Sequence, residues 1–276
     1  GEELSNYSFG NDHPFGPERL EAFWNELKRK ELEQQVAILT PCQADQEQLE
    51  LFHTHAYVEK VKTQSQTGQG YLDSGDTPAF TGVFEAASYV VGTALDALEQ
   101  VMQGHFRRAF VPIAGLHHAR RDSAAGFCVF NDCGVLIEVL RCQYKLNRIV
   151  YVDIDAHHGD GVFYAFESDP ALFIVDIHED GRFLYPGTGN HDEIGKANAA
   201  GSKLNFCLQP GADDHAFFHV WQQAEQFIHD SKPEFILLQC GADGLAGDPI
   251  THLNLTEQVH LQTAASLCRL ADTYCD

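Results

Sequence analysis

The run Asp153-Ile154-Asp155-Ala156-His157-His158-Gly159-Asp160-Gly161 is the densest cluster in the chain of groups able to bind a metal or carry a proton. It follows directly on β-branched and aromatic residues, which places it at the end of a strand. In an extended segment residues two apart share a face, so Asp155 and His157 can hold one metal ion together. Asp243, at the end of another apolar run, would complete three nitrogen and oxygen ligands with one position open. That is the pattern of a catalytic rather than a structural Zn²⁺ site, and the same donors suit Fe²⁺. A metal held this way lowers the pKa of bound water towards neutrality and polarises a carbonyl, as amide hydrolysis requires. A lone Asp-x-His is more often a loop with local hydrogen bonds. Here three polar strand ends coincide.

A second cluster, His117-His118 after Gly115-Leu116, offers imidazoles that can act as general acid and base near neutral pH. Adjacent histidines on a loop are usually solvated. Beside a metal and the two carboxylates left over, Asp153 and Asp160, each imidazole would have its own acidic partner, and the two basicities would be pushed apart.

The elements that must position these groups alternate. Apolar strand-like runs at 109–114, 148–154 and 234–239 each end in the polar residues named above, with further strands expected at 36–39, 172–177 and 203–208. Helical spacing predicts a helix from Pro17 to about Leu32, two short helices within 46–66, and a long one carrying Phe84, Ala87, Val91, Leu95, Leu98 and Met102. More helices are expected at 132–144, 161–167, 213–229 and 256–274, and a loop at 67–77. Strands alternating with helices predict a doubly wound α/β fold with a mostly parallel sheet, whose ligands bind beyond the carboxyl ends of the strands. Without an internal repeat or a linker, the 276 residues are expected to form one domain.

Composition narrows the partners. The chain has 18 Lys+Arg against 40 Asp+Glu, a net charge of −22, which lacks the basic footprint that binding a nucleic-acid backbone needs. No apolar stretch reaches the length of a membrane-spanning helix, and the first twelve residues are polar and acidic rather than signal-like. The eight cysteines form no Cys-x-x-Cys pair and several lie within apolar runs, as buried reduced thiols do, which predicts a cytoplasmic protein.

Several long blocks resemble, in order and spacing, the histone deacetylase superfamily. They are Gly115-Leu116-His117-His118-Ala119-Arg120-Arg121-Asp122 with Gly126-Phe127-Cys128 and Asn131-Asp132, then Tyr151 to Gly161, then Tyr185-Pro186-Gly187-Thr188-Gly189, and then Gly241-Ala242-Asp243 with Gly247-Asp248-Pro249. His13-Pro14 with Pro17-Glu18-Arg19-Leu20 matches the opening motif, so the resemblance spans nearly the whole chain. It implies a three-layer α/β sandwich of the arginase/deacetylase fold and a zinc-dependent enzyme that removes acetyl or other acyl groups from lysine side chains or related amines. By position it implies that Asp155, His157 and Asp243 bind the metal, that His118 is the main base and acid, and that His117 is its electrostatic partner. Asp153 and Asp160 would orient the two histidines. Phe127 and Tyr185 would wall the tunnel for the acyl-lysine stem, the Gly126 carbonyl would accept the amide N–H, and Asp76 would bind substrate backbone at the rim. It further implies a monovalent cation, usually K⁺, at Asp153, Asp155, His157, Ile177 and Asp176, where the family commonly has serine in place of Asp176.

The compact loops look more like those of bacterial acetoin-utilisation proteins than those of the polyamine enzymes. Two features depart from the pattern. The family's leading strand is not seen before the opening motif, and its glycine-rich block with the carbonyl-polarising tyrosine would follow Tyr274-Cys275-Asp276. The expectation is a deacetylase domain over 1–276 that lacks both, and losing such a donor typically costs about 100 to 1000-fold in rate. Two other readings remain open at this point, an acyl-lysine-binding protein with little turnover and a dimanganese ureohydrolase of the arginase type.

Overall fold

Four short runs rich in Val, Ile, Leu and Phe pair in parallel, the two central ones buried along nearly their whole length and the two edge ones less so. They are β1 (Ile149–Asp153), β2 (Leu172–Glu179), β3 (Lys203–Leu208) and β4 (Phe235–Gln239), in the order β3-β2-β1-β4. The register sets Asp153 beside both Asp176 and Gln239, so the polar carboxyl ends of the first and fourth of these strands meet Asp176, which lies within the second. Helices α6 (Asp160–Phe166), α7 (Asp214–Ser231) and α8 (Glu257–Tyr274) follow β1, β3 and β4. The core joins Val150, Val152, Val175 and Ile177 of the sheet to Phe217, Trp221, Ala224 and Ile228 of α7 and Val259 and Leu267 of α8. Capping fixes where these helices start. Asp213 accepts the Ala216 N–H, while Asp214 accepts both the N–H (2.7 Å) and the hydroxyl (2.6 Å) of Thr256, the cap of α8.

The structure, a computed structural model, describes residues 2–10 and 13–275; of the polar ends read from the sequence, Gly1, Asn11, Asp12 and Asp276 lie outside them. The chain forms two compact units, 1–139 and 140–276, and the sheet belongs to the second. The first is helical, with α1 (Glu18–Arg29), α2 (Gln46–Leu49), α3 (His55–Thr67) and α4 (Val83–Met102), and α5 (Asp132–Cys142) begins in it. Along α4 the buried Val83, Ala87, Val90, Val91, Ala94 and Leu98 keep helical spacing. Gly92 is needed there because a Cβ would come within 2.3 Å of the Ala44 nitrogen.

Two expected strands are corrected. Neither 36–39 nor 109–114 is a strand, and Val36, Ile38 and Phe110 lie exposed at 53%, 53% and 63%. An apolar run becomes a strand only when a neighbour supplies its hydrogen bonds, and among the described residues none pairs with either segment. All eight cysteines are free, but Cys42 and Cys142 are exposed rather than buried. No helix among the described residues is long and apolar enough to cross a membrane.

Candidate active site

In the second unit Asp155, His157 and Asp243 offer one ligand atom each, all within 4.8 Å of one another. His157 Nδ1 lies 3.0 Å from Asp155 Oδ1 and 2.7 Å from Asp243 Oδ2. Burial alone would depress this imidazole, but its hydrogen bonds to the two carboxylates and their charges push it up to about 10. A point where two carboxylates converge on one nitrogen is a point of strong negative potential, which suits a divalent cation in exchange for the proton. The trio is preorganised by its own backbone. The Ala156 N–H donates to Asp243 Oδ1 (2.9 Å) and the His157 N–H to Asp155 Oδ1 (2.8 Å).

Gln239 and Gly241 hold the trio from the side of β4. Gln239 Nε2 donates to Asp155 Oδ2 (3.1 Å) and its Oε1 accepts the Gly241 N–H (2.8 Å). A Cβ on Gly241 would stand 1.9 Å from Asp155 Oδ2, so the carboxylate occupies the space a side chain would fill. His260 Nε2 donates to the Gly241 carbonyl (2.8 Å), which fixes the turn from the helix side. The donor types, their mutual distances and this cradle fit a metal such as Zn²⁺ or Fe²⁺.

Beneath the trio, Asp153 and Asp176 are wholly buried. Asp153 accepts the Tyr151 hydroxyl (2.6 Å) and the Asp155 N–H (3.2 Å). Asp176 accepts the Gly159 N–H (2.9 Å) and pairs with His178 Nδ1 (2.6 Å). Burial opposes the charge on His178, yet the adjacent carboxylate pushes it up to about 10. Asp176 thus has a protein-borne counter-charge. Asp160 is buried at the first turn of α6, and Tyr185 is half exposed with its ring 6.4 Å from that of His157.

In the first unit His117 and His118 are buried, at 3% and 5% exposure, with their Nε2 atoms 3.1 Å apart. Tandem loop histidines usually lie in water, so something must hold these inside. Asp132 accepts the N–H groups of Gly115 (2.9 Å) and Leu116 (2.8 Å), and the Asn131 amide donates to the carbonyls of His117 (3.2 Å) and Ala119 (2.8 Å). The loop that carries Asp76 is equally built. Asp73 Oδ1 accepts the N–H groups of Gly75, Asp76 and Thr77 at 2.8 to 3.1 Å. Burial and the neighbouring Asp73 carboxylate push Asp76 up to about 6. Phe127 and Gly126 stand in a tight turn at φ 66° and 52°, closed by reciprocal hydrogen bonds between Ala125 and Cys128. The Gly126 carbonyl accepts the Cys128 thiol at 3.3 Å.

Residues 13–276 match the family model described as histone deacetylase domain. The chain belongs to the histone deacetylase family. Among its relatives, the acetoin utilization protein AcuC of Bacillus subtilis (strain 168) is 36% identical over 277 residues, covering 98% of this chain and 71% of that protein. The AcuC of Staphylococcus xylosus is 32% identical over 280 residues, covering 99% and 72%. Among solved structures, the HDA15 HD domain superposes with a TM-score of 0.91 at 26% identity, over 100% of this chain and 80% of that one. The parallel sheet with flanking helices accords with the arginase/deacetylase fold of the family.

For a member of this family, reasoning from residue spacing found the three candidate ligands and the histidine pair. It missed the residues that hold them. Gln239 and Gly241 had a weak signal, an amide and a glycine at the end of an apolar run just before Asp243, and Asn131-Asp132 had only their place in a family block.

Proposed function

We propose that this chain is a metal-dependent amidohydrolase that removes acetyl or other acyl groups from lysine side chains or related acylated amines. The observation that carries this reading is the convergence of Asp155, His157 and Asp243 around the space left by Gly241. Those three residues would hold Zn²⁺ or Fe²⁺, which when bound polarises the acyl carbonyl and acidifies water. His118 takes the proton from the attacking water and returns it to the departing amine, with His117 as its electrostatic partner. Asp153 and Asp160 orient the two imidazoles. Phe127 and Tyr185 flank the lysine stem, the Gly126 carbonyl accepts the amide N–H, and Asp76 accepts substrate backbone N–H groups at the rim. The products are acetate and a free amine. K⁺ would be held by Asp153 and by backbone oxygens of Asp155, His157 and Ile177, while Asp176 takes part through its contacts with Gly159 and His178. The net charge of −22 suits a basic acetylated peptide, and we place the protein in the cytoplasm.

The test is hydrolysis of a fluorogenic acetyl-lysine peptide by the full gene product, before and after chelation and again with Zn²⁺ restored. Turnover lost on chelation and recovered with metal is expected, with one metal per chain. Two metals per chain would favour a ureohydrolase, and one bound metal without turnover on any acyl-lysine would leave a binding protein.

A further inference from the structure

Phe127 holds a left-handed backbone, φ 66°, that a bulky side chain rarely adopts. Such strain persists only where the surroundings over-determine it, and it gathers at ligand-binding positions. The local turn contributes the Ala125–Cys128 pair and the bond from the Cys128 thiol to the Gly126 carbonyl. The rest comes from far away in sequence. Tyr7, 1% exposed, donates its hydroxyl to the Phe127 carbonyl (2.6 Å) and accepts the Val129 N–H (2.9 Å). On the other side, the Phe127 N–H donates to Thr77 Oγ1 (3.1 Å), and the Thr77 hydroxyl donates to Asp76 Oδ1 (3.2 Å). Both peptide groups of Phe127 are therefore tied, and one of the ties continues to the rim carboxylate. His13 closes the set with its ring edge-on to Phe127, centroids 4.4 Å apart.

We infer that Tyr7 and Thr77 are positioning residues that hold Phe127 in its left-handed conformation and couple it to Asp76, so that tunnel wall and rim form one rigid substrate-binding piece. This rests on the proposed reading of Phe127 and Asp76 as substrate contacts. Neither Tyr7 nor Thr77 is asked to touch substrate. Removing either hydroxyl leaves a buried backbone group without its partner and allows the Phe127 peptide to turn over into an ordinary basin.

Tyr57 supplies the control, since it is equally buried and donates its hydroxyl to the Val129 carbonyl (2.7 Å) without touching the Phe127 peptide groups. The experiment compares Tyr7→Phe, Thr77→Val, the double variant and Tyr57→Phe by Tm, by kcat and KM on the acetyl-lysine peptide, and by crystal structures. Tyr7→Phe and Thr77→Val should each raise KM about tenfold with kcat little changed, the signature of lost substrate binding. Tyr57→Phe should lower Tm comparably and leave KM alone, and the double variant should place Phe127 at negative φ. A wild-type KM in Tyr7→Phe, an equal KM rise in Tyr57→Phe, or a Phe127 still left-handed in the double variant would overturn the inference. If Tyr7→Phe does not fold, Thr77→Val carries the same test, with Thr77→Ser expected to restore KM. If the wild type does not hydrolyse acyl-lysine, the proposed function fails, and the φ of Phe127 in the double variant still decides the positioning role.

Discussion

Replacing Gly241 by alanine adds one methyl group where Asp155 Oδ2 now lies, 1.9 Å from the new carbon. Contacts below 3.0 Å essentially do not occur for a Cβ, so one of the two must retreat by about 1.1 Å. The glycine cannot retreat easily, because its N–H is held by Gln239 and its carbonyl by His260, each at 2.8 Å. Asp155 must therefore turn its carboxylate away. Metal–ligand distances tolerate only about 0.2 Å, so a displacement several times larger removes one of three protein ligands. Even losing a residue that merely orients a ligand costs about 10 to 100-fold in metal affinity, and the expected loss here is at least about 100-fold. The clash involves the end of a side chain, so the fold should survive, with the metal-free Tm within about 4 °C of wild type. Titration of the metal-free protein with Zn²⁺ against a competing chelator gives the affinity, and calorimetry the Tm. Wild-type affinity in Gly241→Ala would refute the assignment of Asp155 as a ligand. A collapse of the metal-free Tm would instead move the effect from the ligand to the fold.

Gln239→Leu removes the amide that bridges Asp155 and Gly241 and should weaken Zn²⁺ binding about 10 to 100-fold in the same titration. Because Asp76 is pushed up to about 6, it loses its negative charge and its full capacity to accept hydrogen bonds as pH falls through that value. KM for the peptide should therefore be flat above about pH 7 and rise below pH 6, whereas Asp76→Asn should give a raised KM without this inflection. Phe217 is fully buried and stacks on Trp221 with centroids 6.2 Å apart, so Phe217→Ala should cost about 3–5 kcal/mol in urea unfolding.

Asp155 and His157 were legible in the sequence because a strand has period two, and that period depends on nothing outside the segment. Asp243 was legible because it ends another apolar run, and parallel strands in register bring their carboxyl ends to one edge. Gln239 was not, because its role depends on the register that sets it beside Asp153, and a glutamine at a strand end carries no mark of that. The strand pattern at 36–39 and 109–114 misled for a related reason, since apolar residues are necessary for a strand but a partner is also required. The conformation of Phe127 lay deeper still. Gly126 hints at a turn, but Tyr7 is 120 residues away and nothing in its neighbourhood announces a partner.

The same limit explains the floor of the site. Asp153 and Asp176 face each other across neighbouring strands with no exposure to water, a placement that costs several kcal/mol per charge unless each is answered. The protein answers them with groups two residues along the same strand, Tyr151 for Asp153 and His178 for Asp176, because the strand period that turns the carboxylates inward turns these side chains to the same face. The motif Val175-Asp176-Ile177-His178 is thus an ion pair written into the alternation of a strand. Its presence lets Asp176 stand wholly buried, with the carboxylate's charge met within β2 itself.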